Sequence, residues 1–210
     1  MKLQFFQKLD ALAGVFAARG ALKNVLIRNF WAKKKTFPLD VAGVKAVFST
    51  ADFYSNWWFY RQSQVENYVY EPFVSRLIVE RSLRARAFVD VGANLGYFTV
   101  LVAKVLQSAR KQVYSFEMDA SLIPLIHRNL ELNGLDNVQV VNAYIVEKSG
   151  PRFEYTPHAY SFLGRAAGIS TEGLDIKLSA NGLGLDDYFQ AGPVLPNLMK
   201  MDIDGAEMGA

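Results

Sequence analysis

The sequence predicts an α/β domain, a parallel sheet with helices on both faces, preceded by a helical and aromatic-rich N-terminal extension. Three observations carry this. From residue 86 apolar strand-like runs alternate with helical runs, the pattern of strand–helix–strand units with right-handed crossovers. A glycine turn, D-V-G-A-N-L-G from Asp90 to Gly96, joins the first strand to the first helix. Acidic residues close the second and fourth strands, at the end where a parallel sheet opens its ligand crevice.

Composition narrows the chemistry. The chain has 210 residues, no cysteine and two histidines, His127 and His158. Lack of cysteine removes disulfide scaffolds, thiolate zinc sites, iron–sulfur clusters and cysteine nucleophiles. Two histidines argue against a histidine-rich metal centre, so no metal is expected. With 51% hydrophobic and 20% charged residues, the chain is globular rather than disordered. The length suits one domain plus a modest extension. Charge is unevenly spread: residues 1–35 hold eight basic residues against Asp10 alone, leaving 15 basic and 19 acidic residues in the body.

Residues 1–35 form the basic segment. Leu3, Phe5, Phe6, Leu9, Leu12, Phe16, Leu22, Leu26 and Phe30 recur at mostly helical spacing. Gly14 and Gly20 weaken that helix. Asp10, Arg19 and Lys23 cut the apolar stretch, which argues against a signal peptide. No run of 18 apolar residues occurs, so no transmembrane helix is expected. The segment reads as a helix packed on the body with a solvated basic face, or as a helix lying on an anionic membrane surface. Nucleic-acid contact is disfavoured, because the lysines cluster at one end.

Residues 36–84 form the aromatic-rich cap, holding Phe37, Phe48, Phe53, Tyr54, Trp57, Trp58, Phe59, Tyr60, Tyr68 and Tyr70. It reads as a small sheet or irregular layer packed on the main domain. The sharper alternative is an aromatic lip for a sugar-like or polyketide-like acceptor. Residues 71–82 read as an amphipathic helix with Pro72 in its first turn.

Residues 85–210 form the main domain. Arg86–Gly92 is a buried strand and Gly96–Ser108 a helix. Gln112–Glu117 is the second strand. Ser121–Gly134 is the second helix, with Asp119 or Ser121 as its cap and Gly134 as its stop. Asn137–Val146 is the third strand. Residues 150–184 are glycine-rich and read as a loop or hairpin insertion near the site. Leu185–Phe189 begins a short helix, and Asn197–Asp202 is the fourth strand.

The glycine turn points to an anion site. Gly92 permits a tight turn and close approach, and Gly96 opens a helix whose first N–H groups lack intrahelical partners. The G-x-N-x-G spacing, with Asn94 in the middle, departs from the G-x-G-x-x-G of dinucleotide folds and fits a smaller negative group. Glu117, 21 residues after Gly96, is placed to accept hydrogen bonds from both hydroxyls of a ribose. Asn142 and Ala143 are placed either to line an adenine pocket or simply to pack. After the fourth strand comes K-M-D-I-D-G-A-E, with Lys200, Asp202, Asp204 and Glu207 around Gly205. No N/D-P-P-Y/F/W motif follows, which argues against methylation of a nucleobase amine. His127, four residues before Glu131, reads as half of a surface pair.

The ordered set FVDVGANLGYF, VYSFE, NLELNG, LDDYF and NLMKMDIDGAE resembles the FkbM-type methyltransferases over residues 68–208. The resemblance implies a Rossmann-like class I fold, S-adenosylmethionine as cofactor, and methyl transfer to a hydroxyl of a sugar, glycolipid or secondary metabolite. It implies cofactor binding by Asp90, Gly92, Asn94, Gly96 and Glu117, with Lys200, Asp202, Asp204, Gly205 and Glu207 near the transferred methyl. Asp204 and Asp202 are the candidate general bases, with His158 third. The expected partner is a small-molecule or glycan acceptor, not nucleic acid. The expected location is cytoplasmic, with peripheral contact at the inner membrane surface through residues 1–35 as an option. Two departures stand out: Glu117 is followed by Met118 rather than proline, and Asp204 stands where the family has glutamate. The class has seven strands and the sequence reading supplies four. The missing elements would need about 60 residues, leaving the fourth strand as an open edge. Reduced or absent turnover is therefore the second expectation: a truncated or degenerate cofactor-binding chain.

Overall fold

The computed structural model describes residues 35–62, 69–155, 177–190 and 194–203. The basic segment falls almost wholly outside them, as do His158, Asp204, Gly205 and Glu207.

The cap begins as a hairpin. Strands β1 (Thr36–Val41) and β2 (Val44–Ser49) pair antiparallel. Their two-residue turn places Ala42 at φ +51° and Gly43 at φ +83°, the doubly left-handed geometry that matches strand twist. Alternation along β1 turns Phe37, Leu39 and Val41 into the core. Helix α1 (Phe53–Gln62) follows, where Asp52 Oδ1 accepts the Ser55 N–H at 2.8 Å and caps the first turn. Helix α2 (Pro72–Ser82) has proline in its first turn, as read. The cap is thus a sheet plus a helix that the sequence reading did not place. Its rings pack inward: Phe48 lies 4.9 Å from Phe59 and 5.7 Å from Tyr97, and Trp58 lies 5.6 Å from Tyr97.

The main domain alternates as expected. It runs β3 (Phe88–Val91), α3 (Tyr97–Gln107), β4 (Val113–Glu117), α4 (Ile123–Leu132) and β5 (Val138–Val146). β6 (Gly150–Tyr155), β7 (Leu178–Gly184), α5 (Leu185–Phe189) and β8 (Leu198–Met201) follow. Among the described residues the sheet has six strands in the order β6-β7-β5-β4-β3-β8. All neighbours are parallel except β6 against β7. This corrects the four-strand reading. Glycines at 182 and 184 look like loop signals, yet β7 is paired on both sides and holds its shape through those ladders. β6 carries Pro151 and lies at the sheet edge, where a missing N–H is tolerated. Among the described residues β8 has β3 as its one strand neighbour.

Both faces of the sheet are covered. Phe88 packs with α3, α4 and the cap, whereas Val89 and Val91 pack on the other face with Phe116, Ile145 and Phe189 of α5. β3 is accordingly apolar on both sides except at Asp90. Asn129 on α4 is fully buried; its Oδ1 accepts the Ser49 N–H and its Nδ2 donates to the Leu95 carbonyl, each at 2.7 Å. One side chain thereby locks the cap hairpin to the glycine turn. The second helix starts at Ile123, later than read, because residues 119–122 form a separate turn. Asp119 Oδ1 accepts from the N–H and hydroxyl of Ser121 at 2.9 and 2.7 Å within it. Among the described residues no helix is long and apolar enough to cross a membrane.

Candidate functional site

The chain order β3, β4, β5 steps outward on one side, and β8 lies on the other side of β3. Ligands of open α/β sheets bind where the strand order reverses, outside the carboxyl ends. Here that point lies between β3 and β8, bounded by Asp90–Gly96, Glu117–Asp119 and Lys200–Asp202. A cavity of about 610 Å³ lined by Glu80, Arg81, Leu83, Arg84, Ala85, Asn197 and Leu198 lies at the opposite, N-terminal ends of these strands. It is separate from the crevice.

The glycine turn is built from within. Gly92 stands at φ +72°, and a Cβ there would meet the Asp202 carbonyl oxygen at 2.0 Å. Glycine is therefore required by the neighbouring strand as well as by any ligand. Gly96 stands at φ +83° and Asn94 at φ +56°, a left-handed conformation that asparagine tolerates better than most residues. The turn spends most of its own donors. The N–H groups of Gly92 and Ala93 donate to the Phe116 carbonyl at 3.0 and 3.1 Å, and that of Gly96 to Ala93 at 2.8 Å. The Asn94 N–H donates to Glu117 Oε2 at 2.7 Å. Donors for an anion must come from the first turn of α3 and from side chains, not from those four N–H groups of the turn.

Glu117 sits at the centre. It is 6% exposed, and its second oxygen accepts the Asp119 N–H at 2.8 Å. Burial pushes its carboxyl up from 4.5 to about 7, although the two N–H donors pull the other way and nearby Asp119 and Asp90 add to the rise. A carboxylate offers about four acceptor positions, so two remain for a diol. Asn142 is exposed and donates its Nδ2 to the carbonyls of Glu117 and Met118 at 2.8 and 2.9 Å, tying down the end of β4. Ala143 is buried in β5 at 4% exposure. Tyr155 braces the same loop, donating to the Met118 carbonyl at 2.6 Å and accepting from the Ala120 N–H at 3.0 Å.

Lys200 joins the strand ends. Its Nζ lies 3.6 Å from Asp90 Oδ1 and 3.6 Å from Asp202 Oδ2, donates to the Gly92 carbonyl at 3.1 Å, and sits 5.3 Å from the Phe98 ring centre. Asp90 is fully buried; Thr99 Oγ1 donates to its Oδ2 at 2.6 Å and stands 3.0 Å from Ser115 Oγ. Asp90 Oδ1 has no hydrogen-bond partner, so the lysine charge is what offsets its burial. Asp202 is half exposed and faces solvent at the crevice. Asp204 and Glu207, the other strand-four candidates, lie outside the described residues. His127 is exposed on α4, away from these groups.

Sequence reasoning did not assign Thr99 or Ser115 to the site, named Asp119 only as a helix cap, and named Tyr54 only within the aromatic cap. Thr99 had a signal, as a hydroxyl early in the mostly apolar run GYFTVLVAKVL. Tyr54 had none: its hydroxyl donates to Asn94 Oδ1 at 2.7 Å across 40 residues of chain. Among the described residues no group of three or more His, Asp or Glu side chains could hold a metal ion.

No curated protein matches the sequence. Solved structures overlap it in part. The Podospora anserina methyltransferase PaMTH1 shares 9% identity, with 58% of this chain and 49% of that one covered, at a TM-score of 0.34. TYW2 of M. jannaschii shares 19% identity over 62% and 56%, at 0.34. The precorrin-6y C5,15-methyltransferase of Geobacter metallireducens shares 17% over 38% and 42%, at 0.31. The chain thus spans about half the length of these structures. Residues 90–210, from the buried Asp90 through the strand-four signature, match the Methyltransferase FkbM domain, and the chain belongs to that S-adenosylmethionine-dependent methyltransferase family.

Proposed function

We propose that the crevice binds S-adenosylmethionine and serves methyl transfer to a hydroxyl oxygen of a sugar, glycolipid or secondary metabolite. The observation that carries this reading is the buried Glu117 carboxylate, hydrogen-bonded at 2.7 Å to the glycine turn and retaining acceptor positions for a ribose diol. The residues present fit the cofactor: a diol acceptor at Glu117, a helix N-terminus at Gly96 and a half-exposed acid at Asp202. Bound cofactor supplies a methyl group already activated on a sulfonium, so no nucleophile triad is needed.

What remains for the chain is binding, orientation and proton removal. Gly92, Asn94 and Gly96 shape the turn that holds the amino-acid end, and Asn142 and Ala143 support the adenine side. Asp90 holds Lys200 in place, and Lys200 in turn holds the Gly92 carbonyl. Asp202 or Asp204 takes the acceptor hydroxyl's proton, a role worth about 10²–10⁴ in rate, and Glu207 is a further candidate. Alignment of the reacting atoms supplies about 7–11 kcal/mol in favourable systems. The test is calorimetric titration with S-adenosylhomocysteine: the protein binds and Glu117→Ala does not. A wild-type chain that shows no binding overturns the reading.

A further inference from the structure

We infer that Tyr54, from the N-terminal cap, is a positioning residue that turns the Asn94 amide so that its Nδ2 donates to the carboxylate at the amino-acid end of the methyl donor. This rests on the function proposed above and adds a part of the chain outside the family-matched residues 90–210.

The geometry runs as a chain of fixed atoms. The Tyr54 hydroxyl donates to Asn94 Oδ1 at 2.7 Å, and the Asn94 N–H donates to Glu117 Oε2 at 2.7 Å. Asn94 is therefore held at backbone and side chain at once, in a left-handed conformation at φ +56°. With Oδ1 occupied by the phenol, the polar group the amide has left to offer is its Nδ2 donor. Tyr54 is 5% exposed, and burial holds its hydroxyl protonated to about pH 12. It thus stays a neutral phenol at every working pH, and in the observed orientation it donates to Oδ1 and leaves Nδ2 for the ligand.

The choice of a carboxylate follows from the donor count. The N–H groups of Gly92, Ala93, Asn94 and Gly96 are bonded within the protein, which leaves this turn at most the Leu95 N–H, too few backbone donors to wrap a phosphate as a glycine-rich phosphate loop does. A carboxylate needs fewer donors. The first-turn N–H groups of α3 and one oriented side-chain amide suit it. An amide held the other way would set an oxygen against that anion.

The experiment measures dissociation constants for S-adenosylhomocysteine and for 5′-methylthioadenosine, which keeps the nucleoside but lacks the amino-acid end. Tyr54→Phe keeps the ring and removes the hydroxyl. It is expected to weaken S-adenosylhomocysteine about three- to tenfold, the range of one hydrogen bond, and to leave methylthioadenosine unchanged. Asn94→Asp keeps an acceptor for Tyr54 but puts a negative charge at the ligand carboxylate. It is expected to weaken S-adenosylhomocysteine by more than tenfold, again sparing methylthioadenosine. A purely structural role for Tyr54 would weaken both ligands alike. That outcome, or no change with either ligand, overturns the inference while leaving the function intact. If Tyr54→Phe does not fold, the Asn94→Asp pair of measurements decides alone. Wild-type protein that binds neither ligand overturns the function and this inference with it.

Discussion

Under the proposed function, Glu117 ties cofactor affinity to pH close to neutrality. Its carboxyl titrates at about 7 in the free protein because burial outweighs its two N–H donors. At pH 7 about half of the molecules therefore carry a proton there. A ribose diol donates two hydrogen bonds and wants the charged form, so binding expels that proton. The proton released is about one half at pH 7 and falls to about 0.1 at pH 8, by ordinary titration from a value of 7. Below pH 7 affinity for S-adenosylhomocysteine falls by up to tenfold per pH unit, and above pH 8 it is flat. Calorimetry in two buffers of different ionisation enthalpy reads both quantities. Glu117→Gln should bind weakly with no pH dependence between 6 and 8. Stability carries the opposite sign. A carboxyl raised from 4.5 to about 7 favours the folded state fully below pH 4.5, and that contribution is lost as pH rises through 7. The span corresponds to roughly 3 kcal/mol. The glutamine variant forgoes one acceptor, at about 1 kcal/mol. Its gain over the ligand-free wild type should therefore grow as pH rises from 4.5 and reach about 2 kcal/mol above pH 7. Wild-type affinity unchanged from pH 6 to 8, with binding heats independent of buffer, would refute the reasoning.

Three other perturbations follow from the same contacts. Lys200→Met leaves the Asp90 carboxylate buried without its charge partner and should cost about 3–5 kcal/mol in urea unfolding. The Asp90→Asn, Lys200→Met double variant should recover part of that loss. Gly92→Ala drives a Cβ to 2.0 Å from the Asp202 oxygen at a positive φ; crowding and backbone strain together predict about 2–5 kcal/mol by the same assay. Asn129→Ala strands the Ser49 N–H and the Leu95 carbonyl, for about 2–4 kcal/mol. Faster amide exchange at Ser49 should report the cap loosening from the turn.

Legibility from sequence followed the range of the interactions. Strand β3, helix α3 and strand β4 appeared within a residue or two of their read limits because their signals are local: apolar runs, a glycine turn, a polar break. Residues 150–184 read as a loop or hairpin insertion because they offer glycine and mixed polar side chains; β6 and β7 do pair antiparallel, but their place in the main sheet is not legible in that stretch. What makes 178–184 a strand is the ladder it forms on each side, with β5 and β6, and no window of sequence contains those partners. The site divides the same way. Lys200, Asp202, Asp90 and Glu117 were found as strand-end groups. Their wiring was not, since Lys200 meets Asp90 across 110 residues.

Gly92 shows how a residue singled out in the sequence can carry an incomplete reason. Sequence logic assigns it to a tight turn and to close approach of a ligand, and a positive φ fits the turn. The nearest obstacle to a side chain, however, is the Asp202 carbonyl of the neighbouring strand end. Glycine there lets β3 and β8 finish side by side, with the Asp202 N–H donating to the Val91 carbonyl at 3.1 Å. The same closeness brings Lys200 to the Gly92 carbonyl and to Asp90. One missing methyl group thus sets the spacing of the turn, the buried ion pair and the half-exposed acid. The glycine turn and the end of β8 are one packing unit, and a substitution at Gly92 disturbs both before any ligand arrives.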